Sequence, residues 1–216
     1  MPNPMPRRGP ARRKPAADRR IEVVEAARAL FARAGLDSVS MRAVAAEAGV
    51  SAAALYLYFP DRHALMVAVC DSIFADLIAM FRAADPPALA RDPFARLRGF
   101  MRAYVDWGIA HPDEYRLLFL IKEFHEQGGP GHRGPPAPGA PQLGPQLFAL
   151  LVAEVEGLMR SGHVRRADAT MAAEAIWASG HGLIALLTTL KAFPFTPAGE
   201  LGEFMSDVIL RGLAAP

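Results

Sequence analysis

Residues 40–62, SMRAVAAEAGVSAAALYLYFPDR, decide the fold of the first part of this chain. Ser40 is suited to begin a helix, because its hydroxyl can accept a hydrogen bond from a free backbone N–H of the first turn. The apolar residues that follow recur at helical spacing, namely Met41, Val44, Ala45 and Ala48. Gly49 suits a turn that needs positive φ, and Ser51 can begin a second helix. Two short helices joined by a glycine-containing turn indicate a helix-turn-helix.

The second helix of such a motif lies in the major groove of DNA, and its first residues meet base edges. In this chain the first residues are Ser51, Ala52, Ala53 and Ala54. Four-residue spacing predicts that Leu55 and Phe59 face the core. Tyr56 and Tyr58 would then direct their hydroxyl groups toward phosphates.

The stretch from Ile21 to about Leu77 resembles the N-terminal domain of the TetR family of transcriptional regulators. The resemblance rests on Phe31, Gly35, Ala45, Ala48-Gly49-Val50-Ser51, Leu55-Tyr56, Tyr58-Phe59 and Asp61-Arg62. It implies phosphate contacts by Ser40, Tyr56, Tyr58 and Arg62. It also makes Arg42 a candidate for a base or phosphate contact, so double-stranded DNA is the predicted partner.

One segment departs from the family pattern: Ala52-Ala53-Ala54 has no long polar side chain, where family members often carry one. Base reading would then depend on contacts of alanine methyls with thymine, on Arg42 and on DNA shape. The alternative is that Tyr56 and Tyr58 are half-buried packing residues. Arg62, like Arg42, would then be an ordinary solvated charge.

Charge is divided unevenly along the 216 residues, although the net charge is only +2. Residues 1–62 hold eleven Arg or Lys against six acids, whereas the remainder has a net charge of −3. This distribution suits a polyanion-binding first domain. Residues 1–17 contain five bases and no acid, and we expect a disordered tail there. Such a tail either serves solubility or follows the phosphates as an arm.

Composition argues against several other classes of protein. Cys70 is the single cysteine, so no intramolecular disulfide can form and a reducing cytoplasm is the expected location. We expect no signal peptide and no membrane span, because no apolar run approaches about 18 residues. The six histidines show no metal-ligand spacing, and no nucleophile elbow or phosphate loop occurs. The sequence therefore predicts no metal, no cofactor and no enzymatic activity.

The chain reads as helical throughout, and we predict an all-α fold of about nine helices. Residues 18–62 would form the helix-turn-helix domain, and residues 63–216 a larger regulatory and dimerisation domain. The predicted helices of the second domain cover 61–84, 92–110, 113–126, 142–161, 168–192 and 197–213. Residues 128–141, rich in Gly and Pro, are either a mobile loop or a disordered insert.

Two helices of the second domain each place aromatic and ionisable side chains on one face. The candidates for an effector pocket are Phe100, Tyr104, Trp107, His111, Phe119, Trp177 and His181. Pockets between helices are mostly apolar with a few polar groups, so the predicted effector is a small, largely apolar or aromatic molecule. The alternative is plain core packing. Trp177, His181 and Gly182 also resemble a C-terminal regulatory domain of the family that is named for Trp, His and Gly.

The last two helices carry more apolar residues than a thin helical body needs. We expect a homodimer interface there, formed by Leu183, Leu187, Leu190, Phe204 and Val208; the alternative is monomer core. The combined prediction is a repressor that an effector releases from a pseudo-palindromic operator. A dimeric DNA-binding module without an effector, whose body only dimerises or receives a protein partner, is the second hypothesis. A helical enzyme is a distant third.

Overall fold

The computed structural model describes residues 15–35, 38–84, 92–120 and 143–215, and within these ranges it has nine helices. The helices are α1 (Ala16–Ala34), α2 (Met41–Glu47), α3 (Ala52–Tyr58), α4 (Arg62–Ala83), α5 (Ala95–Ala110), α6 (Pro112–Phe119), α7 (Leu143–Arg160), α8 (Ala169–Thr189) and α9 (Ala198–Leu213). The described part contains no strand beyond an isolated bridge between Val164 and Ala214. The predicted all-α fold is confirmed.

The first three helices form a small head. α1 buries one stripe, made of Val23, Val24, Ala27 and Phe31, and packs against α2 and α4. It begins at Ala16, so the last two residues of the predicted tail are helical. The rest of that tail, 1–14, lies outside the described residues.

α4 connects the head to the body and runs through the core of both. Ten of its 22 residues are buried, among them Leu65, Ile73 and Leu77. α4 is long and apolar enough to cross a membrane by length and composition, and half of that apolar window is buried inside the protein. A core helix passes the same test, because a helix that is apolar on all sides is suited to burial in protein.

The body packs α5 against α8 and α9, and α7 against α4 and α8. Two ion pairs join α5 to α9, one between Arg98 and Asp207 and the other between Arg102 and Glu203. Asp71 of α4 accepts a hydrogen bond from the backbone N–H of Leu143 over 3.0 Å, which satisfies a donor at the beginning of α7.

Helix boundaries differ from prediction by a few residues for local reasons. α5 begins at Ala95 rather than residue 92, because the Asp92 carboxylate accepts from the N–H of Phe94 and holds a turn there. α6 begins at Pro112, which is tolerated in the first turn of a helix. The predicted continuation of α6 to residue 126, and the segment 128–141, lie outside the described residues.

Candidate functional site

The turn of the helix-turn-helix has the geometry that its sequence predicts. Ser40 accepts from the N–H of Ala43 over 3.2 Å, and Ser51 accepts from the N–H of Ala54 over 3.1 Å. Gly49 has φ of 64°, a left-handed conformation that glycine adopts without a steric penalty. Asp61 caps α4 in the same way, with 2.7 Å to the N–H of Ala64. Three capped helix starts therefore fix the direction of α2, α3 and α4.

The second helix of the motif, α3, buries one side and exposes the other. Leu55 and Phe59 are almost completely buried, as predicted, and the Arg20 guanidinium lies 4.7 Å from the centre of the Phe59 ring. Seven of the predicted DNA contacts are exposed and Tyr58 is half-buried; the eight are Ser40, Arg42, Ser51, Ala52, Ala53, Tyr56, Tyr58 and Arg62. All of them lie on α2, on α3 or at the start of a helix of the motif.

Leu57 was not among the residues predicted to contact DNA. Its side chain is 86% exposed, more than any other large apolar side chain in the described residues. Leu57 follows Leu55 by two residues, which turns it about 200° around the helix axis and away from the core. The two-residue offset from Leu55, a predicted core residue, could have identified Leu57 as exposed.

A cavity of about 440 Å³ lies in the body between α4, α5, α6, α7 and α8. Its described wall is almost wholly apolar and comprises Phe74, Phe100, Met101, Tyr104, Phe119, Gly144, Pro145, Leu147, Phe148, Leu151, Glu174, Ile176, Trp177, Ala178 and Gly180. Glu174 is the only acid or base in this part of the wall. A cavity of this size and lining is typical of small-molecule sites.

The structure brings only some of the predicted pocket residues to this cavity. Phe100, Tyr104, Phe119 and Trp177 line it, and His181 lies beside it in a shallower, more open depression that Phe119 and Trp177 share. The contribution of α7, through Leu147, Phe148 and Leu151, was not predicted, because no polar or aromatic pattern distinguishes that helix from ordinary core.

Trp107 and His111 do not line the cavity. The Trp107 ring is buried and stacks on Tyr104, with 5.9 Å between ring centres. His111 is exposed, and its Nδ1 lies 3.0 Å from the carbonyl oxygen of Trp107. Both residues sit at the end of α5, where Pro112 begins the next helix and turns the chain. Their helical spacing was correct, but the two residues lie beyond the end of the cavity.

A chain of hydrogen bonds connects the polar groups beside the cavity. Tyr104 Oη lies 3.1 Å from Nε2 of His181, and Tyr115 Oη lies 2.8 Å from Nδ1. The Tyr115 hydroxyl also lies 3.4 Å from the carbonyl oxygen of His181. The Tyr104 hydroxyl accepts a further bond from the indole N–H of Trp177, which can only donate.

Burial keeps this chain of groups uncharged. It lowers the pKa of His181 to about 4, so the imidazole is neutral near pH 7. Burial also raises the pKa of Tyr104, and it raises the pKa of Tyr115 to about 12. This chain beside the cavity therefore consists of neutral hydrogen-bonding groups, and Glu174 is the acid of the described cavity wall.

An ion cluster links the head to the helix that carries Tyr115. Arg28 of α1 contacts both carboxylate oxygens of Glu114 on α6, at 3.1 and 3.2 Å, and reaches Asp76 of α4 at 2.7 Å. Ser72 of α4 accepts a fourth bond at 3.0 Å. Burial alone would lower the pKa of Arg28, but the bonds and charges of Glu114 and Asp76 outweigh it and raise that pKa.

The residues predicted for the dimer interface divide by exposure. Phe204 is 69% exposed, Val208 56% and Leu190 49%. Leu187 is half-buried, whereas Leu183 is 5% exposed and packs inside the body near Gly202. Leu183 is thus part of the monomer core in this structure. Leu186, 46% exposed, adds to the apolar surface of α8.

Two segments of the chain match known families. Residues 23–69 match the family described as bacterial regulatory proteins, tetR family. Residues 97–208 match the family described as Tetracyclin repressor-like, C-terminal domain. The second match spans most of the body and does not confirm the Trp-His-Gly type.

Individual proteins are similar to the chain over different lengths. The HTH-type transcriptional repressor KstR of Rhodococcus jostii (strain RHA1) is 35% identical over 81 residues, 38% of this chain and 36% of KstR. The chain thus matches about a third of the length of this curated relative. A protein of unknown function from Rhodococcus sp. RHA1 has a TM-score of 0.75 and 28% identity, covering 91% of this chain and 95% of its own. The complex of RolR with resorcinol has a TM-score of 0.65 at 18% identity, covering 92% and 89%; that likeness concerns the fold alone.

Proposed function

The chain belongs to the TetR family of bacterial regulatory proteins, and from that premise we propose a dimeric, sequence-specific repressor that a small, largely apolar molecule releases from a pseudo-palindromic operator. The observation that carries the proposal is the capped helix-turn-helix with its exposed second helix. Membership of this family makes the chain a DNA-binding transcriptional regulator. Repression is proposed because KstR, the curated relative, is a repressor.

The DNA contacts are proposed for the eight exposed or half-exposed residues of the head. Tyr56 and Tyr58 would each donate a hydrogen bond to a phosphate oxygen, and Arg62 would pair with a phosphate at the start of α4. Arg42 would contact a base or a phosphate from α2. Because phosphate pairing releases counterions, affinity should fall steeply as salt rises.

A homodimer is proposed through the exposed apolar surface of α8 and α9. Phe204 and Val208 are four residues apart and share one face of α9, while Leu186 and Leu190 do the same on α8. Burying four such side chains against a second copy would remove from water an apolar patch that monomers rarely expose. Two heads held together would read two half-sites about one helical turn apart.

The effector is proposed to bind in the apolar cavity. Its wall suits an uncharged molecule of drug size, with one polar atom placed near the Tyr104, Trp177 and His181 chain. RolR binds resorcinol according to its structure, and we carry over only that a phenol is a reasonable first probe. The second candidate remains a regulator without an effector; the size of the cavity favours the first.

We propose that the protein acts in the cytoplasm and that it is not an enzyme, since the named relatives regulate transcription.

The direct test of DNA binding uses the full-length protein and labelled duplex from immediately upstream of its own gene, beside a random duplex of equal length. We expect tight binding to the first only, with affinity that falls steeply between low and high salt. Equal, weak binding to both would argue that this upstream segment is not the operator. If duplexes selected from a random pool also bound no better than random DNA, the proposed function would be contradicted.

The dimer is tested by sedimentation of Phe204→Glu beside Met171→Glu. Met171 is 63% exposed and lies on α8 outside the proposed surface. We expect Phe204→Glu to give monomers and Met171→Glu to remain dimeric, because only the first would bury a charge in the interface. Identical sedimentation of the two variants as dimers would contradict the proposed interface.

A further inference from the structure

We propose that α3 reads the C5-methyl groups of thymine in the major groove, and that Leu57 is the residue that determines this specificity. The inference rests on the proposed DNA binding and deepens it. It predicts a thymine at the operator position beneath α3. It also gives a role to Leu57, which is otherwise an unexplained apolar side chain on the surface.

The position of Leu57 on α3 is the first support. Ala53 and Leu57 lie one turn apart, and both turn away from the buried pair Leu55 and Phe59. The pair Ala53 and Leu57 therefore forms the centre of the exposed face. Tyr56 flanks it on one side and is half exposed, at 50%.

The chemistry of that face is the second support. Neither Ala53 nor Leu57 can donate or accept a hydrogen bond through its side chain, so neither can read the polar edges of guanine, cytosine or adenine. The thymine methyl is the apolar feature that a base pair presents in the major groove. An apolar residue at the centre of a reading helix thus favours T·A over the other pairs.

The surroundings of the face are the third support and identify its occupant as DNA. Arg42, Arg62 and Tyr56 of the same helix-turn-helix region are exposed and suit phosphates. Residues 1–62 carry a net charge of +5, which attracts a polyanion rather than an apolar protein partner. Leu57 belongs to the head, whereas the apolar surface proposed for dimerisation belongs to α8 and α9.

The experiment begins with full-length protein and a pool of randomised duplexes, from which the best-bound site is selected. Each thymine of that site is then replaced by deoxyuridine, which removes the C5-methyl and leaves every hydrogen-bonding group. We expect about a fourfold loss of affinity for each contacted methyl, from the transfer of one methyl group out of water. Symmetric replacement in both half-sites should give about a 15-fold loss, since the two contacts add.

The matched variant is Leu57→Ala. Alanine favours helix more than leucine and the position is exposed, so α3 should still form, which circular dichroism can verify. The deoxyuridine penalty at the contacted thymine should disappear in Leu57→Ala and persist in Met171→Ala, a control on the body. Replacing that T·A pair by 5-methylcytosine·guanine should bind about fourfold better than cytosine·guanine, because the methyl is restored.

The outcomes separate this inference from the function on which it rests. If no selected duplex bound better than random DNA, the proposed function itself would be contradicted. A selected duplex that tolerates every deoxyuridine would overturn thymine reading while leaving DNA binding intact. A penalty of equal size in wild type and Leu57→Ala would overturn the role of Leu57, because another residue would then contact the methyl.

Discussion

The four tyrosines of the chain contrast the head with the body. Tyr56 is half exposed and Tyr58 half-buried in the head, with their hydroxyl groups on a surface that suits phosphates. In the body Tyr104 and Tyr115 are 5% and 2% exposed, and both bond to His181. We propose that the tyrosines of the head donate hydrogen bonds to a partner, whereas those of the body bond within their own protein.

The contrast follows from what surrounds each hydroxyl. A buried hydroxyl must find a partner inside the protein, because leaving it unpaired would destabilise the fold by about 1–3 kcal/mol. An exposed hydroxyl is satisfied by water until a ligand replaces that water. We therefore expect the hydroxyls of the head to be available to a ligand, whereas those of the body bond within the protein beside the cavity.

The largest effect is expected where a head hydroxyl is removed. Tyr56→Phe should weaken operator binding about 100-fold or more, because each of two copies loses a hydrogen bond to an anion of roughly 1.5 kcal/mol. Its melting temperature should not change, since the hydroxyl is exposed. Fluorescence anisotropy and thermal melting measure the two quantities.

Tyr104→Phe is the matched change in the body, with the opposite expectation. It should lower the melting temperature, because it takes a hydrogen-bond partner from His181 and leaves the buried Nε2 unpaired. Operator affinity should stay within about twofold. If both variants lost DNA affinity equally, the division between an outward head and an inward body would be wrong.

The next effect concerns pH. His181 has a pKa near 4 in the folded protein and about 6.5 when unfolded, so the unfolded state binds more protons between these values. Stability should be complete above pH 6.5 and decline as pH falls toward 4, by about 3 kcal/mol at most. Urea unfolding of wild type and His181→Gln measures this as a difference in pH dependence: below pH 6.5 the wild type should lose more stability than the variant, and above pH 6.5 the two curves should run parallel. Curves that stay parallel down to pH 4 would contradict the prediction.

Gly108→Ala should destabilise the body by about 1–3 kcal/mol, the usual effect of overpacking. A β-carbon there would lie 2.5 Å from Cδ1 of Ile184, where α5 meets α8 in the core. Gly212→Ala, where nothing lies within 4 Å, is the control and should be tolerated. Equal urea midpoints for both variants would show that the helices can separate without penalty.

The smallest effect is expected for the link between head and body. Arg28→Lys keeps the positive charge but loses the bidentate contact with the Glu114 carboxylate. Operator affinity without ligand should barely change. If α6 transmits the effect of ligand binding to the head, a bound ligand should lower the operator affinity of the variant severalfold less than that of wild type. Arg160→Lys, on an exposed ion pair with Glu156 in α7, is the matched control. Identical release by wild type and Arg28→Lys would exclude this route.

The sequence was sufficient to predict features that depend on residues close together along the chain. Caps at Ser40, Ser51 and Asp61 and the turn at Gly49 act within three or four residues, so their geometry could be predicted. The long-range contacts of the body could not. Helical spacing grouped Trp107 with Phe100, yet the cavity ends before Trp107.

Two other features of the body depend on how helices meet rather than on a pattern along one of them. The cavity wall formed by Phe148 and Leu151 requires the packing of α7. Leu183 has the same apolar character as Leu190, but it faces α9 of its own chain. Only the arrangement of α8 and α9 distinguishes core from surface there.

The most direct test of the account measures ligand binding and operator binding on the same protein. Wild type and Leu147→Trp, which places a larger side chain in the cavity wall, are melted with resorcinol and a panel of larger uncharged apolar compounds. The compounds that raise the melting temperature of wild type should lower its operator affinity by roughly 5- to 150-fold, and bound operator should weaken the ligand by the same factor. Leu147→Trp should bind the operator and lose both ligand effects. Compounds that bind the cavity and leave operator affinity unchanged would contradict the account.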